Sequence, residues 1–427
     1  MKNESVSVLE ISLHGIRVGH LVGYQGGRNV MTFDTAFRED PQRPTLTLTT
    51  HPDFPHADRL MASPWIRRQR LHPFFSNMLP EGTLRDWLAR SLKIHADNEF
   101  PLIAQLGYDL PGAVVATPLP ADEVPAHVLE HRTSVTPVPR SISRGQGFSL
   151  AGVQMKFSMY EREGAFRLGQ HDTLGDWIIK TPSTRHRSVP ANEYTAMRLA
   201  EAAGVEVPEI RLVPLSALKT LPDLPLPDEQ WAYAIRRYDR QSTHRIHAED
   251  MAQVLAQYPH EKYTGANYET LGKLFTRFTQ DGLRSAQELA RRLLINLLLA
   301  NGDAHLKNWS FLYPDDDLPV LAPAYDIVFT QAYIDNEQEI ALNLNGRKQW
   351  YALQWDDFRA WSQHIGVPWH GIRVALDDTL QRVRETWPAL LQDAPMHPEH
   401  KRKLIAHWQR LPNSWGLTAL QNCPSPP

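Results

Sequence analysis

The segment Leu299-Ala-Asn-Gly-Asp-Ala-His-Leu-Lys-Asn308 carries the most information about the fold of this 427-residue chain. It continues an apolar stretch, Ser285 to Ala300, whose spacing predicts a buried helix. The Asn-Gly pair that follows is typical of a helix end, so the next residues are expected in a loop. That loop presents Asp303 and Asn308 with four residues between them.

This Asp-x-x-x-x-Asn spacing is also that of a protein-kinase catalytic loop. There the aspartate accepts the proton of the attacking hydroxyl, and the asparagine reaches back to a Mg²⁺ ion at the phosphates. Asp303 is therefore a candidate base and Asn308 a candidate metal ligand. Because Asp and Asn are common loop residues, the motif needs support from elsewhere in the chain.

Further candidate residues occur in the order that a kinase requires. Asp326 follows a predicted strand, Trp309 to Leu312, where a kinase has the aspartate that binds its other Mg²⁺ ion. Lys180 ends the apolar strand Trp177-Ile-Ile-Lys. A lysine at the end of such a strand binds the ATP phosphates in kinases. Glu193, near the start of the next predicted helix, is placed to form an ion pair with it. Each residue alone also fits an ordinary turn, strand-edge or helix-end role. It is their order along the chain that favours a kinase.

The remaining pattern predicts an α+β protein, a protein-kinase-like bilobal fold with a mixed α/β N-terminal lobe and a mostly helical C-terminal lobe. We predict four parts: an N-terminal subdomain at 1–118, a Pro-rich connector at 119–140, a kinase small-lobe core at 141–245 and a helical C-terminal lobe at 246–427. Predicted strands lie in Val6 to Phe33, Val114 to Ala116, Val153 to Tyr160, Ala165 to Leu168, Ile210 to Leu215 and Ala232 to Tyr238. Predicted helices are Pro64 to Asn77, Leu84 to Ile94 with Thr83 as its N-cap, Glu193 to Ala203, Trp355 to Gln363 and Asp377 to Glu385.

Composition excludes several classes of protein. With 45 Lys and Arg against 48 Asp and Glu, the formal net charge is −3, which argues against a protein dedicated to coating nucleic acid. The single cysteine, Cys423, rules out an intramolecular disulfide and a zinc site built from several cysteines. The histidines lack metal-ligand spacing. No targeting segment or membrane-length apolar stretch is visible, so we expect a cytoplasmic location.

Taken together, the motifs resemble the HipA-type serine/threonine kinase toxins of bacterial toxin–antitoxin modules, in the long form with an N-terminal subdomain. The resemblance spans most of the chain in the family's order. The matching stretches are FFSNMLPEG (Phe74 to Gly82), SLAGVQMK (Ser149 to Lys156), IIKTP (Ile178 to Pro182), NEYTAMRLAEAAGVEVP (Asn192 to Pro208), AIRRYDR (Ala234 to Arg240), AEDM (Ala248 to Met251), NGDAHLKN (Asn301 to Asn308) and PAYDI (Pro323 to Ile327).

The resemblance implies roles for individual residues and two cofactors, ATP and Mg²⁺. Asp303 would be the catalytic base, and Asn308 and Asp326 would bind Mg²⁺. Ser149 would be the autophosphorylation site, where a phosphate adds about −1.5 to −2 charge to a phosphate-binding loop and switches the kinase off. The residues expected to contact ATP are Ala151, Gly152, Val153, Gln154, Lys156, Lys180, Arg236, Tyr238, His305, Lys307 and Asn308.

The resemblance also implies partners. The expected substrate is a serine of an aminoacyl-tRNA synthetase, typically the glutamyl enzyme. A small helix-turn-helix antitoxin (HipB-like) would bind the kinase, which would meet operator DNA only through that complex, and no membrane partner is expected. Arg236 departs from the family, which commonly has an acidic residue there, but backbone groups usually hold adenine, so ATP binding is expected to survive.

Two other functions remain open at this point. One is a catalytically weak co-repressor scaffold acting with an antitoxin, against which the intact set of Asp303, Asn308 and Asp326 argues. The other is a small-molecule phosphotransferase of the aminoglycoside-kinase kind. The N-terminal region and the loop around Ser149 disfavour that reading.

Overall fold

The computed structural model describes residues 4–129, 133–136, 155–168, 174–221, 226–241, 244–315 and 318–421. In these ranges the strands are β1 (Glu4–Leu13), β2 (Ile16–Tyr24), β3 (Arg28–Phe33), β4 (Trp65–Arg68), β5 (Val114–Pro118), β6 (Thr133–Val135), β7 (Lys156–Arg162), β8 (Ala165–Leu168), β9 (Trp177–Lys180), β10 (Ile210–Pro214), β11 (Trp231–Arg236), β12 (Arg240–Gln241), β13 (His244–Arg245), β14 (His247–Asp250), β15 (Ser310–Tyr313), β16 (Val320–Leu321), β17 (Glu339–Leu344) and β18 (Arg347–Gln349). The helices are α1 (Thr35–Glu39), α2 (Ala57–Ala62), α3 (Pro73–Ser76), α4 (Gly82–Ser91), α5 (Glu99–Leu106), α6 (Val189–Ala202), α7 (Met251–Val254), α8 (Tyr268–Phe278), α9 (Gly282–Leu298), α10 (Trp355–His364), α11 (Trp369–Asp393), α12 (Pro398–Arg410) and α13 (Thr418–Gln421).

The first part of the chain forms a sheet of order β4-β3-β2-β1-β5, with β6 added parallel to β1. One face of this sheet is covered by α3, α4 and α5, whose side chains join one apolar cluster with Leu9, Ile11 and Leu13 of β1. The opposite face buries Val6 and Val8. Successive side chains of β1 therefore point to opposite faces of the sheet, and apolar residues are buried on both faces.

A second, antiparallel sheet of order β10-β11-β9-β7-β8 carries one side of the candidate site. Its register pairs Lys156 of β7 with Lys180 of β9, so both lysine side chains leave the same face of the sheet. Helix α6 begins at Val189, four residues earlier than the predicted helix. Glu193 therefore lies in the second turn of α6 and not at its N-terminus.

The last part of the chain is mostly helical around one large apolar cluster. Helix α9 begins after Asp281, whose side chain accepts a hydrogen bond from the Arg284 amide, and it is almost entirely buried over its second half. Strand β15 pairs with β14 and β16. The segment from Leu299 to Trp309 is thus fixed between the end of α9 and the start of β15. The predicted α+β class is confirmed, and the four domain bounds stay a prediction.

Two local predictions are wrong. The predicted helix from Pro64 to Asn77 is instead strand β4 followed by the short helix α3, because residues 65–68 pair with β3 at the sheet edge. Thr83 is not the N-cap of α4, since that helix begins at Gly82 and Glu81 occupies the cap position. The helix predicted from Asp377 to Glu385 is the middle of the longer α11. Within the described ranges, no helix has the length and apolarity needed to cross a bilayer.

A buried charge network joins the first part of the chain to the residues that follow β11. Arg237 and Arg240 each donate to the carboxylate of Asp109, at 3.1 and 2.9 Å, and both also pair with Asp239. The Asp239 carboxylate accepts from the amide of Gly112 at 2.7 Å. Burial opposes ionisation of Asp109, but the two arginines outweigh it and lower the pKa of this carboxyl.

Replacing Asp109 by asparagine should lower the free energy of unfolding by about 3 kcal/mol, because two nearly buried guanidinium groups would then share one carboxylate. Urea denaturation of both proteins measures the change. The exposed Asp122 lies in a turn after β5, and Asp122→Asn should stay within about 0.5 kcal/mol of the parent. Equal stability of Asp109→Asn and the parent would show that the network does not hold these parts together.

Candidate functional site

Lys180 is the centre of a buried cluster of charged side chains. Its ammonium nitrogen donates to one carboxylate oxygen of Glu193 and to Oδ1 of Asp326. Lys156 donates to the other oxygen of Asp326 at 2.9 Å. The side chains of Lys180 and Glu193 are 4% and 1% exposed, whereas Lys156 is 52% exposed. The sequence-predicted lysine, helix glutamate and second aspartate are therefore brought together in one place.

The charges of Asp326 and the two lysines support one another. Burial alone would raise the pKa of Asp326, but Lys156 and Lys180 outweigh it and hold that pKa far below its usual range. Burial disfavours the charge of Lys180, but Asp326 and Glu193 raise its pKa above the ordinary value. Asp326 also has φ of +55°, a conformation that side-chain-bearing residues seldom adopt. Asp326 thus combines a carboxylate that two lysines keep ionised with an unusual backbone conformation.

The loop that carries Asp303 is held by the end of α9. Asn296 on that helix accepts from the side-chain amide of Asn301 at 2.7 Å, and Asn301 accepts from the amide of Asp303 at 3.0 Å. The side chain of Asp303 is 52% exposed, and the hydroxyl of Tyr263 donates to its Oδ1. The backbone of Asp303 is anchored to α9, whereas its carboxylate is half exposed. Such a carboxylate is suited to accept a proton from an incoming hydroxyl.

His305 is a buried histidine close to Asp303. Its Nε2 is 3.9 Å from Oδ1 of Asp303, and its ring also interacts electrostatically with Asp326. Burial lowers the pKa of His305 to about 4, despite the opposing effect of Asp303. At neutral pH the imidazole is therefore uncharged. Any contact with a phosphate would be a hydrogen bond and not an ion pair.

Asn308 and Asp326 offer oxygen ligands for a metal ion. Both line one small cavity, and the buried Oδ1 of Asn308 has no hydrogen-bond partner in the part of the chain that the structure describes. Mg²⁺ takes few protein oxygens and completes its shell with phosphate and water oxygens. An unpaired amide oxygen beside an ionised carboxylate fits that requirement. The described residues contain no cluster of three or more His, Cys, Asp or Glu suited to a metal ion.

The other residues predicted to contact ATP differ in their exposure and in the side chains that they contact. Tyr238 stacks on the ring of Tyr325, with ring centroids 5.6 Å apart. Arg236 lies at the surface, 3.4 Å from Asp176. Lys307 is already bound, since its ammonium donates to Glu81 at 2.6 Å and to the carbonyl of Asn77 at 3.0 Å. Outside the described residues lie Ser149, Ala151, Gly152, Val153 and Gln154.

Two residues at the site were missed by the sequence reasoning. Tyr263 contacts Asp303 from a turn 40 residues earlier in the chain, and no motif marks it. Glu81 lies in the FFSNMLPEG stretch, which the resemblance singled out without giving any residue in it a role. That unassigned stretch is the signal that would have led to Glu81.

The chain resembles known proteins both in sequence and in fold. Residues 148–387 match the HipA-like C-terminal domain family, and residues 9–117 match the HipA N-terminal domain family. The Sinorhizobium fredii protein Y4dM, named as a kinase, is 36% identical over 92% of this chain and 94% of its own length. The serine/threonine-protein kinase toxin HipA of Shewanella oneidensis is 26% identical over 79% of this chain and 81% of its own. A solved structure of Shewanella oneidensis HipA with HipB and operator DNA has a TM-score of 0.70 at 21% identity, covering 97% of this chain and 96% of that one.

Proposed function

Because the chain belongs to the HipA family, we propose that it is an ATP-dependent protein serine/threonine kinase and the toxin of a toxin–antitoxin module. The observation that carries this proposal is the buried contact of Lys180 with Glu193 and Asp326, beside a loop that presents Asp303. Positioning and charge neutralisation are most of what phosphoryl transfer requires. These side chains supply both.

Each side chain has a defined part in the proposed reaction. Lys180 and Lys156 bind the phosphates of ATP, exchanging part of their contact with Asp326 for phosphate oxygens. Asp326 and Asn308 would hold Mg²⁺, which when bound neutralises charge on the phosphates. Asp303 accepts the proton of the acceptor serine hydroxyl. The serine oxygen forms a bond to the γ-phosphorus, and the bond between that phosphorus and the leaving ADP oxygen breaks. His305, being neutral, adds no charge to the site.

The proposed substrate is a serine of an aminoacyl-tRNA synthetase, with the glutamyl enzyme as the first candidate. Ser149 is proposed as an autophosphorylation site that switches the kinase off. The proposed partner is a small helix-turn-helix antitoxin through which the kinase meets operator DNA. The support for these finer assignments is the family resemblance, together with a structural relative solved with HipB and operator DNA.

Label transfer from γ-labelled ATP tests the acceptor class. We expect the wild-type protein to label a serine of one enzyme in a panel of purified synthetases and to label no compound in a panel of aminoglycosides. Chelating Mg²⁺ with EDTA should stop the transfer, because Lys180 and Lys156 would then be the only cations of the cluster facing the phosphates, and Asp326 itself is an anion. Asp303→Ala serves as the inactive control. Label on small molecules alone would replace the protein-kinase proposal with a small-molecule phosphotransferase.

A further inference from the structure

Glu81 joins two segments that are far from it in the chain. Its Oε1 accepts from the ammonium of Lys307 at 2.6 Å, and its Oε2 accepts from Lys262 at 3.1 Å. The sequence separations are 226 and 181 residues. We call Glu81, Lys262 and Lys307 the Glu81 clamp.

The clamp is better shielded than an ordinary surface ion pair. The side chains of Lys307 and Lys262 are 14% and 21% exposed, and that of Glu81 is 36% exposed. Burial would raise the pKa of Glu81, but Lys307 and Lys262 outweigh it and lower that pKa to about 2. Glu81 therefore stays ionised at neutral pH, and each of its oxygens keeps one lysine.

Both lysines are chain neighbours of residues in the site. Lys307 directly precedes Asn308, and Lys262 directly precedes Tyr263, whose hydroxyl donates to Asp303. The two segments also touch each other, since the carbonyl of Lys262 accepts from the amide of Leu306 at 3.2 Å. Glu81 thus contacts the chain neighbour of the candidate metal ligand and the chain neighbour of Tyr263, which contacts the candidate base.

The segment that carries Glu81 is itself held at two other points. The side-chain amide of Asn77 donates to the carbonyl of Gln257 at 2.7 Å, and Gln253 donates to the carbonyl of Phe74 at 2.9 Å. The carbonyl of Asn77 also accepts from Lys307. The segment that carries Glu81 therefore has its own contacts with the rest of the protein, and its position does not depend on the Asp303 loop alone.

We propose that Glu81 is a positioning residue for phosphoryl transfer, through which the N-terminal part of the chain holds Asn308 and Asp303 in their working geometry. The inference rests on the proposed kinase function and adds a requirement to it. The FFSNMLPEG stretch then contributes to catalysis without contacting ATP or the acceptor serine.

The test is Glu81→Gln, which keeps the shape of the side chain and removes its charge. With a protein acceptor we expect kcat to fall by about 10- to 100-fold, because small displacements of reacting groups are costly, while KM for ATP changes little. Glu81→Asp keeps the charge and should restore part of the loss. The control is Glu39→Gln, which removes a surface glutamate of the same N-terminal part and should leave kcat unchanged.

Hydrogen exchange supplies a second readout that needs no activity. Peptides covering 259–265 and 301–308 should exchange faster in Glu81→Gln than in the wild type, and at the wild-type rate in Glu39→Gln. The inference stands only if kcat and exchange both change, so a change in one alone overturns it. If the wild type transfers no phosphoryl group, the proposed function fails. If the wild type is active and Glu81→Gln matches it in kcat or in exchange, only the inference about Glu81 fails.

Discussion

Replacing Asp303 by alanine should slow phosphoryl transfer by about 10²- to 10⁴-fold, the usual contribution of a positioned general base. ATP affinity should stay close to that of the wild type, because Lys180, Lys156 and Asp326 are untouched. The side chain of Asp303 is 52% exposed, and its hydrogen-bond partner Tyr263 is itself exposed, so the Tyr263 hydroxyl can bond to water after the substitution. The rate of ADP formation with acceptor and the calorimetric Kd of ATP measure the two quantities.

Asp315→Ala is the matched control, since Asp315 is an exposed turn aspartate between β15 and β16. It should keep both the rate and the affinity. A wild-type rate in Asp303→Ala would remove Asp303 from the role of base. Loss of ATP binding in Asp303→Ala would place the residue at the nucleotide instead.

Lys180→Met has the second large expected effect, because it removes the cation shared by two carboxylates. Glu193 would be left buried and unpaired, and breaking a buried pair in this way costs about 3–5 kcal/mol of folding stability. ATP binding should be lost as well. Urea denaturation and calorimetry with ATP measure the two effects separately.

Two further variants separate stability from binding. Lys156→Met removes a half-exposed lysine that also pairs with Asp326, and it should cost no more than about 1 kcal/mol. The double variant Lys180→Met with Glu193→Met removes both buried charges, so it should recover much of the stability without recovering ATP binding. ATP affinity at the wild-type level in Lys180→Met would contradict the proposed phosphate site.

The parts of the site that the sequence predicted are those with local signals. Asp303 and Asn308 follow a strongly apolar helix and precede a strand, and the structure keeps that order. Lys180, Glu193 and Asp326 were predicted from their order along the chain, and the structure brings them into contact. Local periodicity and chain order therefore predicted which side chains come together, and their functional roles stay predictions.

The parts that the sequence missed depend on long-range packing. The helix expected from Pro64 to Asn77 became β4 because pairing with β3 outweighed local helical pattern. The clamp contact of Lys307 with Glu81 spans 226 residues, which no local pattern encodes. Lys307 was predicted to contact ATP, a role that stays a prediction and would require this lysine to leave Glu81.

The most direct test of the central claim is an intact-mass spectrum of every protein present after incubation with Mg²⁺ and ATP. Wild-type protein and Asp303→Ala are each mixed with the synthetase panel, and any phosphorylated species is mapped to its residue. With the wild type we expect a phosphoryl group on a synthetase serine and another on Ser149. With Asp303→Ala we expect none on either protein. No phosphoryl group on any protein with the wild type, or the same groups with Asp303→Ala, would contradict the central claim.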